Sequence, residues 1–339
     1  MRSIKTRDAC TRSAPHASPA NVRRAMRALC VPCSVLSLAM ASESKRLILL
    51  ALVANALIAV TKFVAAGVSG STAMLAEAIH SVADTGNQLF LLRGDAVSRY
   101  KADVTHPFGR GKAMYFWSFM VAVVLFVGGA VFSIVNGWER IQNPHAHEGD
   151  GLVFSLIVLA VAAGFEIFIA LIPALKQFNR IRGTKSAWRM IKESKDSALI
   201  IVIFEDTAAV VGLAIAATGL ILTDVTGSAV WDGLASVLIG LVLAAVAMVI
   251  AREMKALLIG EAASREDRAA IRVAILGVEQ VHHVERLLTM QLAPHEILVT
   301  TDVAFDEEVD EVLAIEHVET SIREACTDAR RIFIEPVRR

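Results

Sequence analysis

Apolar residues dominate six stretches of this chain, roughly 47–68, 71–92, 113–135, 152–172, 197–222 and 229–250. Each has the about 20 residues that a helix needs to cross the hydrocarbon core of a bilayer. Lipid cannot satisfy exposed backbone polar groups, so the irregular chain between these stretches belongs outside the bilayer. The pattern changes after Ile250. Ser264-Arg-Glu-Asp267 predicts a helix start with a side-chain oxygen facing free amides, and Ile271, Ala274, Ile275 and Val278 continue its apolar face. Segments 281–292 and 296–305 alternate as strands do. Asp306 is placed to cap a helix with Val309, Val312, Leu313, Val318 and Ile322 on its apolar face, and 331–335 reads as a closing strand. The expected fold is therefore an α-helical membrane protein. A six-helix transmembrane bundle (42–251) precedes a small α+β domain of order αββαβ (252–339).

Composition supports the membrane setting, with 55% hydrophobic residues and a mean hydropathy of +0.55. The net charge of zero conceals a division. Residues 252–339 hold eleven Lys/Arg against eighteen Asp/Glu, a net −7, and the rest of the chain is +7. Basic residues also sort among the loops. Arg93, Arg99, Lys101, Arg110 and Lys112 lie between the second and third spans, and Lys176, Arg180, Arg182, Lys185, Arg189, Lys192 and Lys195 between the fourth and fifth. Only Arg140 flanks 141–150, and 223–228 has none. This asymmetry predicts a multi-pass protein with both termini cytoplasmic. Tyr115, Trp117 and Trp138 fit interfacial anchors, Lys62 a snorkelling side chain, and Asp232 the cap of its own helix. Glu166 keeps two roles open, pairing within the bundle or relaying protons.

Residues 1–41 are basic and read three ways: a secretory signal ending at Ala39-Met-Ala41, an organellar transit peptide, or an extension ahead of a start at Met40. The last is preferred, because cleavage after Ala41 would leave the new N-terminus outside. Cys30-Val-Pro-Cys33 has redox or metal spacing but lies in this leader, and Cys326 sits in a helix with no nearby partner. No disulfide framework follows.

Chemistry enters in the second span. LAEAIHSVADTGNQ, 75–88, puts Glu77, His80, Asp84 and Gln88 on one helix stripe, with Ser81 and Asn87 beside it. One turn separates His80 from Asp84, so imidazole and carboxylate can converge on one point. A hydrogen-bonded seam between helices is the plain alternative. A carboxylate at mid-membrane, however, costs about 2.5–3.5 kcal/mol on insertion scales and usually marks an ion pathway. The fifth span adds Glu205 and Asp206, adjacent acids whose repulsion a divalent cation would relieve. They point about 100° apart, and Asp206 is the stronger ligand candidate. One imidazole with two carboxylates suits Zn²⁺, and Mn²⁺, Fe²⁺ and Co²⁺ also accept such ligands. An imidazole binds metal only when neutral, so protons compete for its nitrogen.

These residues carry a resemblance. From Ser42 to the C-terminus the chain resembles the cation diffusion facilitator family, on SGSTAMLAEAIHSVADT, HPFGRGKA, DGLASVLIGLVL and the small acidic tail. The resemblance implies a homodimer with six helices per protomer and a cytoplasmic, metallochaperone-like domain. It also implies proton-coupled export of Zn²⁺ or a related cation through a site shared by the second and fifth helices. The metal is then cargo, with no fixed cofactor, no nucleic-acid partner and no enzymatic activity. The membrane would be the bacterial inner membrane or, alternatively, an organellar one. His80, Asp84 and Asp206 match three of the family's four ligand positions. Val202 stands at the fourth, leaving Glu205 or water to complete the shell. Arg110 stands where many relatives have a second loop histidine, and Ile332-Phe-Ile-Glu-Pro336 lacks a tail histidine. His282, His283, His295 and His317 remain in the tail, where a solvated imidazole is more often a surface residue than a ligand.

Two other classes compete. A channel lined by the same acids would also select cations. Gly67-Val-Ser69-Gly70 matches the Gly-x-Ser pattern of intramembrane serine proteases, though Gly and Ser are ordinary turn formers there. No His-Glu-x-x-His motif supports a metalloprotease.

Overall fold

The computed structural model describes residues 55–144, 152–182, 186, 197–306 and 309–337, all within one unit, Leu52–Arg339. The leader with Cys30 and Cys33, the start of the first span, and the loop positions Lys185, Arg189, Lys192 and Lys195 lie outside the described residues.

Among the described residues six helices form the bundle. They are α1 (Asn55–Ser69), α2 (Thr72–Ser98), α3 (Ala113–Gln142), α4 (Leu152–Phe165, continuing through Glu166–Leu171 and Ile172–Arg182), α5 (Ser197–Thr226) and α6 (Val230–Ile259). Among the described residues α3 to α6 are long and apolar enough to cross a membrane. The described part of α1 is shorter, and α2, at 27 residues, carries the polar stripe. Both α3 and α4 contain a wider π-helical stretch, Leu125–Val131 and Glu166–Leu171. Such stretches frequently mark functional positions.

With lipid on the outside, little hydrophobic force holds one helix to another, and close backbone packing takes its place. The α3–α6 crossing works this way. A Cβ on Gly137 would meet the Gly233 carbonyl at 2.6 Å, and one on Gly240 the Ala130 carbonyl at 2.8 Å. Ser236 Oγ, between these glycines, donates to the Ser133 carbonyl at 2.8 Å.

Asp232 supports the start of a helix that is not its own, adding to the N-cap of α2, Ser71, whose Oγ accepts from the Met74 amide. Asp232 lies in the first turn of α6, whose N-cap position, Ala229, offers no side-chain acceptor. Its carboxylate instead accepts from Ser71 Oγ, from the Thr72 amide (2.7 Å) and hydroxyl (2.9 Å), and from the Ala73 amide (3.3 Å). These are the free N–H groups at the start of α2, where negative charge is favoured. Arg140 Nε of α3 lies 3.8 Å from the same carboxylate. Two further expectations change. Lys62 does not snorkel but is fully buried, and Tyr115 is a core residue with no exposed surface. Trp117 stacks on Phe90 of α2 at 5.5 Å, and Trp138 is exposed, as an interfacial anchor should be.

Gly260, at φ +121°, ends α6 and leads into the tail. There α7 (Arg265–Leu276), β1 (Val281–Ala293), β2 (Glu296–Phe305), α8 (Glu311–Ala325) and β3 (Ala329–Val337) realise the αββαβ order. The sheet order is β1-β2-β3, antiparallel then parallel. A return to a parallel neighbour needs a crossover, which α8 provides. Ile271 and Ile275 of α7, Val318 and Ile322 of α8, and Val284, Val299 and Val303 of the sheet form a core of their own. Ser264 caps α7 as its sequence predicts, accepting from the Asp267 amide. The cap of α8 is Asp310 rather than Asp306, bonded to the Val312 and Leu313 amides. Asp306 lies instead just past β2, 3.3 Å from His282 Nδ1. Cys326 is buried just beyond the end of α8, in extended backbone rather than in the helix.

Replacing Asp232 with Ala removes an acceptor from the start of α2 and leaves Ser71 and two amides without it. We expect a loss of roughly 3 kcal/mol, from a cap and at least one charge-assisted bond, with Asp232→Asn losing less. Thermal unfolding of the purified protein in detergent measures this; wild-type stability in Asp232→Ala would contradict this support.

Candidate functional site

The polar stripe of α2 faces inward. Glu77, His80, Ser81 and Asn87 are buried, and the Asp84 side chain is 15% exposed. His80 Nδ1 lies 3.6 Å from Asp84 Oδ1, a separation beyond a direct hydrogen bond. Both ring nitrogens of His80, Asp84 Oδ1 and Gln88 Oε1 are buried without hydrogen-bond partners among the described residues.

Helix α5 packs against this face and brings Glu205 and Asp206 with it. Asn87 Nδ2 donates to Glu205 Oε1 at 2.6 Å, tying the two helices together. Glu205 is thus engaged by α2, whereas Asp206 Oδ2 is buried and unpartnered. Nearly two turns further along α5, Gly212 lies against Glu77 Oε1, where a Cβ would have no room. Among the described residues no three His, Cys, Asp or Glu side chains form a closed metal cluster. His80 with Asp84 on α2 and Asp206 beside Glu205 on α5 are two separate pairs on adjoining helices.

Two groups that sequence reasoning did not assign to this region belong to it. Lys62 of α1 donates to Glu77 Oε2 at 3.1 Å and to Ser81 Oγ at 2.8 Å, with both members of the ion pair fully buried. Its charge also acts on His80, Asp84 and Glu166. Glu166, at the start of the π-helical stretch of α4, is buried, and its charge acts on Asp84, Glu205 and Asp206. Glu77 and Lys62 are fifteen residues apart on different helices, so no local spacing signals the pair.

The loop after α2 has its own organisation. Asp103 accepts from Thr105 Oγ1 (2.6 Å), the His106 amide (2.7 Å), Arg110 Nη2 (2.8 Å) and the Thr105 amide (2.9 Å). These bonds, led by the Thr105 hydroxyl, hold its carboxyl well below the usual carboxylate range. Arg110 therefore serves as Asp103's partner, where the family pattern often has a second histidine. In the tail, His282 and His295 each face one carboxylate, Asp306 at 3.3 Å and Asp328 at 3.5 Å. Ser69 Oγ donates to the Ala65 carbonyl and accepts from the Ser71 amide, the role of a turn residue beside Gly70 at φ +61°.

A sequence profile of the cation efflux transmembrane domain matches residues 48–259, more than half of the chain and all six helices. The chain belongs to the cation efflux, or cation diffusion facilitator, family. The mitochondrial proton-coupled zinc antiporter SLC30A9 of Mus musculus is 29% identical over 267 residues, 78% of this chain and 46% of that protein. Metal tolerance protein C4 of Arabidopsis thaliana is 33% identical over 234 residues, 68% of this chain and 50% of its own length. The chain spans about half the length of these curated relatives. The manganese efflux system protein MneP of Bacillus subtilis is 24% identical over 304 residues and is matched over 95% of its length.

A buried ion pair broken on one side leaves an uncompensated charge, at about 3–5 kcal/mol. We expect that loss from Lys62→Met in detergent unfolding measurements, and recovery of most of it in the double variant Lys62→Met/Glu77→Leu. Additive losses in the double variant would show that the two side chains are not coupled.

Proposed function

We propose that this protein exports divalent metal cations, Zn²⁺ foremost, from the cytoplasm in exchange for protons. The metal would be held between α2 and α5 by His80, Asp84 and Asp206, with Glu205 or water completing the shell. The observation that carries this reading is a set of buried polar atoms on two adjoining helices without hydrogen-bond partners among the described residues: the His80 ring nitrogens, Asp84 Oδ1 and Asp206 Oδ2. Polar atoms so placed are costly in a membrane bundle unless a further ligand answers them. One imidazole and carboxylate oxygens make a donor set suited to Zn²⁺. The named activities of the relatives, proton-coupled zinc antiport and manganese efflux, agree with this chemistry.

Exchange follows from competition at His80. Metal needs its neutral imidazole, so a proton arriving from the outer side displaces the ion and metal loading on the inner side releases the proton. Rocking of the helices between inward and outward access would carry one against the other. Both termini would be cytoplasmic. The working unit would be a homodimer, whose paired tails, net −7 each, repel less when cations bind.

Proteoliposomes with an imposed pH gradient give the test. Metal flux in the wild type should reverse with the gradient, and Asp84→Ala and Asp206→Ala should each lower it at least about tenfold while inserting normally. Flux indifferent to the gradient would indicate a channel, and near-normal flux in either variant would overturn the site assignment.

A further inference from the structure

Away from the transport site, the loop after α2 and the edge of the tail sheet form the walls of a cleft of about 340 Å³. Five cations line it: Arg99, Lys101 and Arg110 from the loop, Arg330 and Arg331 from β3. Three have partners, Arg99 with Asp95 (2.8 Å), Arg110 with Asp103 (2.8 Å) and Arg331 with Glu296 (3.2 Å). Lys101 and Arg330 are exposed and have no carboxylate partner among the described residues. Arg110 Nε is buried and also unpartnered, although the guanidinium lies 5.7 Å from the centre of the Tyr100 ring. Counting its three carboxylate partners, the cleft keeps two positive charges. This is not the local background, since residues 252–339 are strongly acidic.

The position narrows the ligand. Helix α2 ends at Ser98 and α3 begins at Ala113, so the loop wall lies where two membrane helices leave the bilayer. Phe108 of the loop meets Phe333 of β3 edge-to-face, with ring centres 6.4 Å apart, and joins the two walls. We propose that this cleft binds the phosphate of an anionic phospholipid headgroup, held by the exposed Lys101 and Arg330 beside the Arg110 guanidinium. Guanidinium and ammonium donors match phosphate oxygens, and basic pockets at the cytoplasmic membrane face take such headgroups. One bound phosphate would bridge loop and sheet, fastening the tail to the surface of the membrane. The proposal rests on the chain being a membrane protein and not on the metal or the direction of transport.

The test uses the full chain, free of metal, in nanodiscs of phosphatidylcholine with an increasing fraction of phosphatidylglycerol. Hydrogen exchange is read at 99–111 and 329–335. Phosphatidylglycerol should slow exchange in both segments, and high salt should reverse the effect. Lys101→Ala and Arg330→Ala should each raise the fraction of lipid needed at the midpoint roughly fivefold. Arg323→Ala, a surface cation of α8 paired with Glu319, should leave it unchanged. Equal protection by inorganic phosphate in pure phosphatidylcholine would assign the cleft to a free anion and overturn the lipid. Exchange insensitive to phosphatidylglycerol, or equally sensitive in the Lys101 and Arg330 variants, would overturn the site.

Discussion

Carboxylates inside a helical bundle set the terms for this molecule. Glu77, Asp84, Glu166, Glu205 and Asp206 lie on three helices within reach of one another's charge, with the buried cation Lys62 among them. Lipid cannot solvate such groups, and leaving them unanswered is costly. Lys62 answers Glu77, and Asn87 answers one oxygen of Glu205. Asp84 Oδ1 and Asp206 Oδ2, with the His80 nitrogens, are left without hydrogen-bond partners among the described residues. The fixed cation thus sits on the α1 side of α2, and the unanswered acceptors occupy the α2–α5 region where a mobile cation would be needed.

What surrounds these acids serves to hold α2 still. Its N-terminus is fastened by Asp232 of α6, its middle by Lys62 of α1 and Glu205 of α5, and its face against α3 by the Phe90–Trp117 stack. The tight Gly137–Gly233 approach fixes α6 on α3, so the residue that supports the start of α2 is itself rigidly mounted. A binding site is only as exact as the elements that carry it. Helix α2 has its own cap, Ser71, which accepts from the Met74 amide, and the second acceptor on α6 adds a coupling of α2 to the packing of α3 and α6.

Local periodicity made much of this readable. The stripe of Glu77, His80, Asp84 and Gln88 follows from helix geometry, and the tail order from alternation and turn positions. Tertiary partners were not readable in the same way. Lys62 near the end of an apolar run looks like a snorkelling side chain until Glu77 and Ser81 are found facing it. Asp232 at a helix start looks like that helix's cap, and only the approach of α2 shows otherwise. Tyr115, at the end of α3, is covered by the bundle instead of reaching the interface. Between Asp306 and Asp310 the sequence offers several acids ahead of α8. The choice falls to the one whose extended backbone turns directly into the helix, Asp310 at ψ 102°.

X-ray absorption at the zinc edge tests the central claim most directly, that the unpartnered acceptors of α2 and α5 are one metal's ligands. Zinc bound to the purified protein should show a single imidazole with carboxylate or water oxygens at about 2.0–2.2 Å and no sulfur. That shell should be lost or rebuilt in both His80→Ala and Asp206→Ala. A spectrum dominated by several imidazoles, or one unchanged in both variants, would put the metal elsewhere and contradict the account.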